Sequence, residues 1–274
     1  MFDKIIENVY AKTPLVHSIT NYVTVNDCAN ILLACGASPI MADDEKEVEE
    51  ITSICNALVI NIGTLNERII KSMVKAGKRS YELSHPVVLD PVGAGASTLR
   101  TDTTFKLLKE VKFSVIRGNI SEIKTVSQGS GTTKGVDADV SDAVTEENLG
   151  EAVSFAQALS AKTGSVIAIT GKIDIVADSK KAYIIRNGNG LMSKITGTGC
   201  MLSTVIAAYC AANQDNMLEA TAAAVCAMGL SGELAYDRLL KNDGGTSTYR
   251  TYIIDYMSKM NNEMLQGGMK VESR

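Results

Sequence analysis

Short apolar runs alternate along this chain with longer stretches of helical spacing, and that alternation leaves few architectures open. Residues 57–62 (ALVINI), 86–90 (PVVLD), 113–117 (FSVIR), 165–170 (SVIAIT), 173–177 (IDIVA) and 182–186 (AYIIR) read as strands. Between them, residues 25–35, 45–55, 66–76, 104–110 and 147–161 space their apolar side chains as helices do, and beyond residue 200 the chain reads as helix almost to its end. Strands this uniformly apolar are buried on both faces, so helices must cover both sides of the sheet. The expected fold class is therefore α/β, with a largely parallel central sheet. Nothing in the 274 residues has the composition of a linker, and a single domain spanning 1–274 is expected. Residues 127–141 (SQGSGTTKGVDADVS) read as a plain surface loop or a flap beside a site. The tail from Gln266, residues 267–274 above all, reads as frayed.

Charge and composition exclude several functions. With 27 basic and 31 acidic residues the net charge is -4, which offers no surface for a phosphate backbone and argues against nucleic-acid binding. The most apolar run, residues 200–212, contains Ser203 and Thr204 and falls short of the ~20 residues a membrane span needs. The first ten residues carry Asp3 and Glu7 and no apolar core, unlike a secretory signal, so a cytoplasmic location is expected. Six cysteines without a C-x-x-C pair, and only two histidines, make no zinc signature. Five of them read as small buried hydrophobes. Cys200 differs, because it follows a glycine-rich turn.

No P-loop is present, and Gly188, Gly190, Gly197 and Gly199 do not complete a dinucleotide-binding fingerprint. Four other places carry chemistry. In residues 195–200 (ITGTGC), glycines open an apolar helical run, so backbone N–H groups and the helix N-terminus favour an anion there. An ordinary helix entry has the same composition. Asp90 ends a strand before a glycine-rich turn (DPVGAG), where an acid meets a cation, a substrate hydroxyl or merely the N-terminus of the next helix. Arg117, Asn119 and Glu122 follow another strand and suit phosphates and a hydrated Mg²⁺, unless they form only a solvated loop. Thr170 closes a strand beside Gly171, where it either touches a nucleotide phosphate or ends the strand. All four lie at strand ends or a helix start, and together they point to phosphoryl transfer.

The chain also resembles the hydroxyethylthiazole kinases of the ribokinase-like superfamily. The likeness runs over nearly its whole length, through HSITNYVTVNDCAN (17–30), SPIMAD (38–43), LDPVGAGAS (89–97), IRGNISEI (116–123), AITG and ITGTGCMLS (195–203). The resemblance implies a ribokinase-like fold and ATP-dependent phosphorylation of the primary alcohol of 4-methyl-5-(2-hydroxyethyl)thiazole in thiamine salvage, with Mg²⁺ as cofactor. It assigns Gly197, Thr198, Gly199 and Cys200 to the anion hole and catalysis, and Arg117 and Thr170 to ATP. Met41, Gly197 and Asn21 then contact the substrate, and Asp90 and Glu122 surround the metal. It further implies a homotrimer, in which Met41 and Asn21 of one subunit face Gly197 of the next. Cys200 stands where most of the superfamily has an aspartate base, and at a helix N-terminus its thiol pKa should be lowered. The rivals are another ribokinase-like enzyme, such as a pyrimidine kinase or a nicotinamide-hydrate repair dehydratase, and a non-catalytic nucleotide-binding regulator.

Overall fold

The computed structural model describes residues 2–129 and 143–274. Its strands are β1 (Leu15–Ile19), β2 (Ser38–Ile40), β3 (Ala57–Asn61), β4 (Val87–Asp90), β5 (Val115–Gly118), β6 (Val166–Ile169), β7 (Asp174–Ala177), β8 (Ala182–Ile185) and β9 (Val271–Ser273). Its helices are α1 (Ile5–Lys12), α2 (Val25–Ala34), α3 (Val48–Ile54), α4 (Glu67–Glu82), α5 (Thr98–Glu110), α6 (Ile120–Gly129), α7 (Leu149–Thr163), α8 (Thr198–Ala212), α9 (Met217–Leu239), α10 (Thr246–Met257) and α11 (Asn262–Gly268).

The nine strands form one sheet in the order β2-β1-β3-β4-β5-β6-β7-β8-β9. Strands β1 to β6 are mutually parallel, and β7, β8 and β9 are antiparallel to their neighbours. Successive side chains point to opposite faces, so each apolar strand feeds two cores. Ala57, Val59, Val88, Val166 and Ala168 face the core made with α1, α2, α8, α9, α10 and α11. Leu58, Ile60, Val87, Leu89, Ile167 and Ile169 face the core made with α3 to α7. This two-sided demand explains the unbroken Val and Ile runs in the sequence.

Helix α8 is buried from Cys200 to Ala212, which accounts for an apolar surface all the way round. It packs over β1, β3 and β4 and against α2 and α9. Helix α9, with the turn before it, is long and apolar enough to cross a membrane by composition, yet 78% of its apolar window is buried within this fold.

Three strands and two helices lie outside the expected set. The sequence of β1 (LVHSI) hides a strand because His17 and Ser18 are buried polar residues. Strands β2 and β9 are the sheet's three-residue edges, and Pro39 in β2 suits an edge that needs no full ladder. The C-terminal tail does not fray. Val271–Ser273 pairs with β8, and Ala182 and Arg274 exchange backbone hydrogen bonds of 2.8 Å on each side. Of the loop expected at 127–141, the first three residues end α6 and the remainder lies outside the described residues.

Candidate active site

Parallel pairing brings the carboxyl ends of β1, β3, β4, β5 and β6 to one edge of the sheet, where open α/β sheets bind ligands. Asn21 lies just beyond β1, Asn61 ends β3, Asp90 ends β4, Arg117 is the second-to-last residue of β5 and Thr170 follows β6. Asn61 and Asp90 are direct register partners. The N-terminus of α8 lies over this edge, so residues far apart in sequence meet around Cys200.

Two glycines permit that approach. Gly197 caps α8 at φ +94°, a left-handed conformation, and a Cβ there would lie 2.7 Å from Cγ2 of Thr24. A Cβ on Gly199 would lie 2.5 Å from Nη1 of Arg117. Gly197 admits only a hydrogen, and a side chain at 199 would push the Arg117 guanidinium aside, so the Gly-Thr-Gly turn lets the helix end close onto α2 and onto that guanidinium. The first N–H groups of the helix have no partner inside it and carry its positive dipole end. Thr198 turns its hydroxyl toward the Met192 carbonyl, 3.4 Å away.

Cys200 is 8% exposed, and its Sγ lies 3.3 Å from the amide nitrogens of both Asn21 and Asn61. The expectation of a lowered thiol pKa is wrong. Burial pushes the thiol up and the neighbouring Asp90 adds to that, against the hydrogen bonds from Thr24, Asn21 and Asn61 that favour a thiolate. At this depth the loss of water outweighs the helix end.

Asp90 is fully buried and caps no helix; α5 is capped by Ser97. Its Oδ2 accepts from Nδ2 of Asn61 at 2.8 Å and from Oγ of Ser203 at 2.9 Å. Its Oδ1 has no hydrogen-bond partner and lies 3.6 Å from Nη1 of Arg117. Burial raises the carboxyl to about 6, with Glu122 pushing the same way and Arg117, Ser203 and Asn61 opposing. Arg117 donates from Nη2 to Oγ1 of Thr170 at 2.6 Å, so the two residues expected to contact ATP are already joined.

Glu122 has a structural task as well. Its Oε1 accepts from the Gly93 N–H at 2.9 Å and its Oε2 from the Asn119 N–H at 2.8 Å, while Oδ1 of Asn119 accepts from the Glu122 N–H at 2.9 Å. The second pair is a reciprocal cap on α6, and the first ties that cap to the turn after β4. Among the described residues no group of three or more His, Cys, Asp or Glu side chains forms a metal cage. The buried Oδ1 of Asp90, which accepts no hydrogen bond, and the Glu122 carboxylate instead offer two acidic donors. They fit Mg²⁺ that keeps most of its water and takes its remaining ligands from phosphates.

The substrate candidates separate. Asn21 accepts at Oδ1 from the N–H and the hydroxyl of Thr24, each at 3.1 Å, which turns Nδ2 toward Cys200. It therefore belongs to the same chain's constellation as Gly197 and Cys200, contrary to the expected split of Asn21 and Gly197 between subunits. Met41 lies half-buried in the loop after β2. That loop is pinned by His17, whose Nε2 lies 2.8 Å from the Ala42 carbonyl. A carbonyl only accepts, so Nε2 carries the proton, and burial lowers the His17 pKa and keeps the ring neutral. Sequence reading missed Asn61, Ser203 and Thr24, which touch Asp90, Cys200 and Asn21 in three dimensions. Only the strand-end position of Asn61 hinted at a role.

Residues 6–263 match the model of the hydroxyethylthiazole kinase family. A hydroxyethylthiazole kinase of Clostridium acetobutylicum is 64% identical over 273 residues, covering all of both chains. The solved structure of the Pyrococcus horikoshii hydroxyethylthiazole kinase superposes with a TM-score of 0.88 at 34% identity, covering 100% of this chain and 98% of that one. A ribokinase-like superfamily protein from Enterococcus faecalis, 15% identical over 94% of this chain and 89% of its own, shares the fold with a TM-score of 0.59. The fold is ribokinase-like, and the chain belongs to the hydroxyethylthiazole kinase family.

Proposed function

We propose that this chain transfers the γ-phosphoryl group of ATP to the primary hydroxyl of 4-methyl-5-(2-hydroxyethyl)thiazole, a salvage step toward thiamine. The observation that carries the reading is the convergence of an anion-binding helix end, Arg117 with Thr170, and the buried Asp90 around Cys200 at one sheet edge. The thiazole hydroxyl attacks the γ-phosphorus, the bond to the β-phosphate oxygen breaks, and ADP leaves with that electron pair. Charge on the transferring group gathers over its oxygens, where the N–H groups at 198–200 and Arg117 meet it. Thr170 fixes the guanidinium from the far side. Asp90 and Glu122 would hold Mg²⁺, which would supply charge neutralisation at the phosphates. Because the Cys200 thiol stays neutral near pH 7, the hydroxyl proton leaves late and passes to an oxygen of the transferred phosphoryl group, and catalysis rests on positioning and charge more than on a strong base.

Substrate contacts fall to Asn21, Gly197 and Met41. Tyr22 and Val23, directly after Asn21, expose 78% and 57% of their surface beside the site, large apolar side chains that a neighbouring copy would cover. They support assembly as a homotrimer whose neighbouring subunit supplies the Met41 side of the pocket. Six unpaired, buried cysteines suit the reducing cytoplasm. A coupled assay of ADP release tests the function with the thiazole alcohol, hydroxymethylpyrimidine and ribose as acceptors. Turnover of the thiazole alcohol above the other two is expected. Faster turnover of the pyrimidine, or ATP binding with no acceptor-dependent ADP release, would overturn the assignment.

A further inference from the structure

We propose that Asn61 is a positioning residue for the transfer, the side chain that sets Cys200 and Asp90 at a fixed spacing and orients Asn21 toward the same sulfur. This role rests on the kinase reading of the site. Asn61 ends β3, is 1% exposed, and uses every polar position of its amide. Oδ1 accepts from the Gly63 N–H at 2.9 Å and from Nδ2 of Asn21 at 3.0 Å, and Nδ2 donates to Oδ2 of Asp90 at 2.8 Å and to Sγ of Cys200 at 3.3 Å.

The direction of these bonds is forced. The Gly63 N–H can only donate, so the oxygen of Asn61 must face it, and its NH₂ must face the carboxylate and the sulfur. The Thr24 N–H fixes Asn21 in the same way, with its NH₂ toward the sulfur. Two backbone N–H groups therefore aim two amide donors at Cys200. Gly63 is held in turn by Arg100, whose Nη2 donates to its carbonyl at 2.8 Å while Nη1 donates to the Val92 carbonyl at 3.3 Å. The turns after β3 and β4 are thus clamped to one guanidinium, and the Asn61 amide hangs from that clamp. The side chain at 200 can then sit in one place relative to Asp90, which is where an incoming hydroxyl must be lined up with the phosphoryl group.

Steady-state kinetics of the full-length enzyme with ATP and the thiazole alcohol test this role. Asn61→Ala removes all four bonds, and Asn61→Asp keeps the acceptor for Gly63 but loses the donor. In both, kcat should fall about 10- to 100-fold while KM for ATP and for the alcohol stay unchanged. In a Cys200→Ala background the added loss from Asn61→Ala should shrink to the part carried by its bond to Asp90, because the part that acts through the sulfur is already gone. Ser203→Ala, which removes the other donor to Asp90 and touches no sulfur, should add its loss in full. Wild-type kcat in either Asn61 variant, losses additive with Cys200→Ala, or failure of both variants to fold would each overturn the role. A wild-type enzyme that phosphorylates no thiazole alcohol would instead defeat the functional reading itself.

Discussion

Asp174 carries the most quantitative consequence of this structure, because it is a buried acid that the chemistry does not use. It opens β7, and its Oδ1 accepts from the Gly171 N–H at 2.8 Å, closing the turn that bears Thr170. Burial raises its carboxyl from 3.8 to about 7, against the pull of that N–H and of Arg117. A raised carboxyl pKa means that the folded state holds its proton more tightly than the unfolded chain does. The stability it contributes is complete below pH 4 and is lost as pH rises to about 7. Three units at about 1.4 kcal/mol each give a loss on the order of 4 kcal/mol across that window. Asn at 174 cannot ionise and still offers an oxygen to Gly171. Urea unfolding of the wild type and Asp174→Asn should be compared at each pH from 4 to 8. The variant should gain on the wild type steadily from pH 4 to about 7 and no further above that. Asp90, raised to about 6 with the same sign, is common to both proteins and cancels in the difference. Parallel stability curves would refute the reasoning, since they would mean that Asp174 ionises in the folded state as easily as in the unfolded one.

The site makes further demands. Cys200→Ala should lower kcat with ATP affinity little changed, and Cys200→Asp should keep or raise it, because the two amide donors at Cys200 suit a carboxylate better than a thiol; wild-type turnover in Cys200→Ala would reduce the thiol to packing. Glu122→Gln should raise the Mg²⁺ concentration for half-maximal activity, and if neither it nor Asp90→Asn alters that dependence, both residues leave the metal site. Gly197→Ala should cost roughly 1–2 kcal/mol from its positive φ alone, more from the clash with Thr24, read as a lower melting temperature. Mixing Met41→Ala with Gly197→Ala subunits should restore part of the lost activity, and a fully active monomer in sedimentation would rule out a shared site.

The parts of the fold that were legible in the sequence are those where one physical demand dominates. Residues 57–62, 86–90, 113–117 and 165–170 stand out because central parallel strands are covered on both faces and tolerate few polar side chains. The observed β3, β4, β5 and β6 fall inside or within a residue of those runs. Where the demand is relaxed, the signal vanishes. The edges β2 and β9 bury little, and β1 carries a histidine whose hydrogen bonds to Thr52 and Ala42 are made by residues far along the chain.

The same division holds in the site. Asp90, Arg117, Thr170 and the 197–200 turn were visible because each combines a reactive or glycine residue with a strand end or a helix start. Asn61 shares that position, yet a buried asparagine looks alike in sequence whether it satisfies a turn or governs a sulfur. What separates the two is which way its amide faces, and that is decided by one N–H two residues later and by a carboxylate 29 positions away. The error over the Cys200 thiol has the same origin. A helix N-terminus is a local feature that a sequence reveals, whereas the burial and the Asp90 carboxylate that override it come from α8 closing over the sheet. Local rules assign the parts of this site, and the sign of their electrostatics follows only from packing.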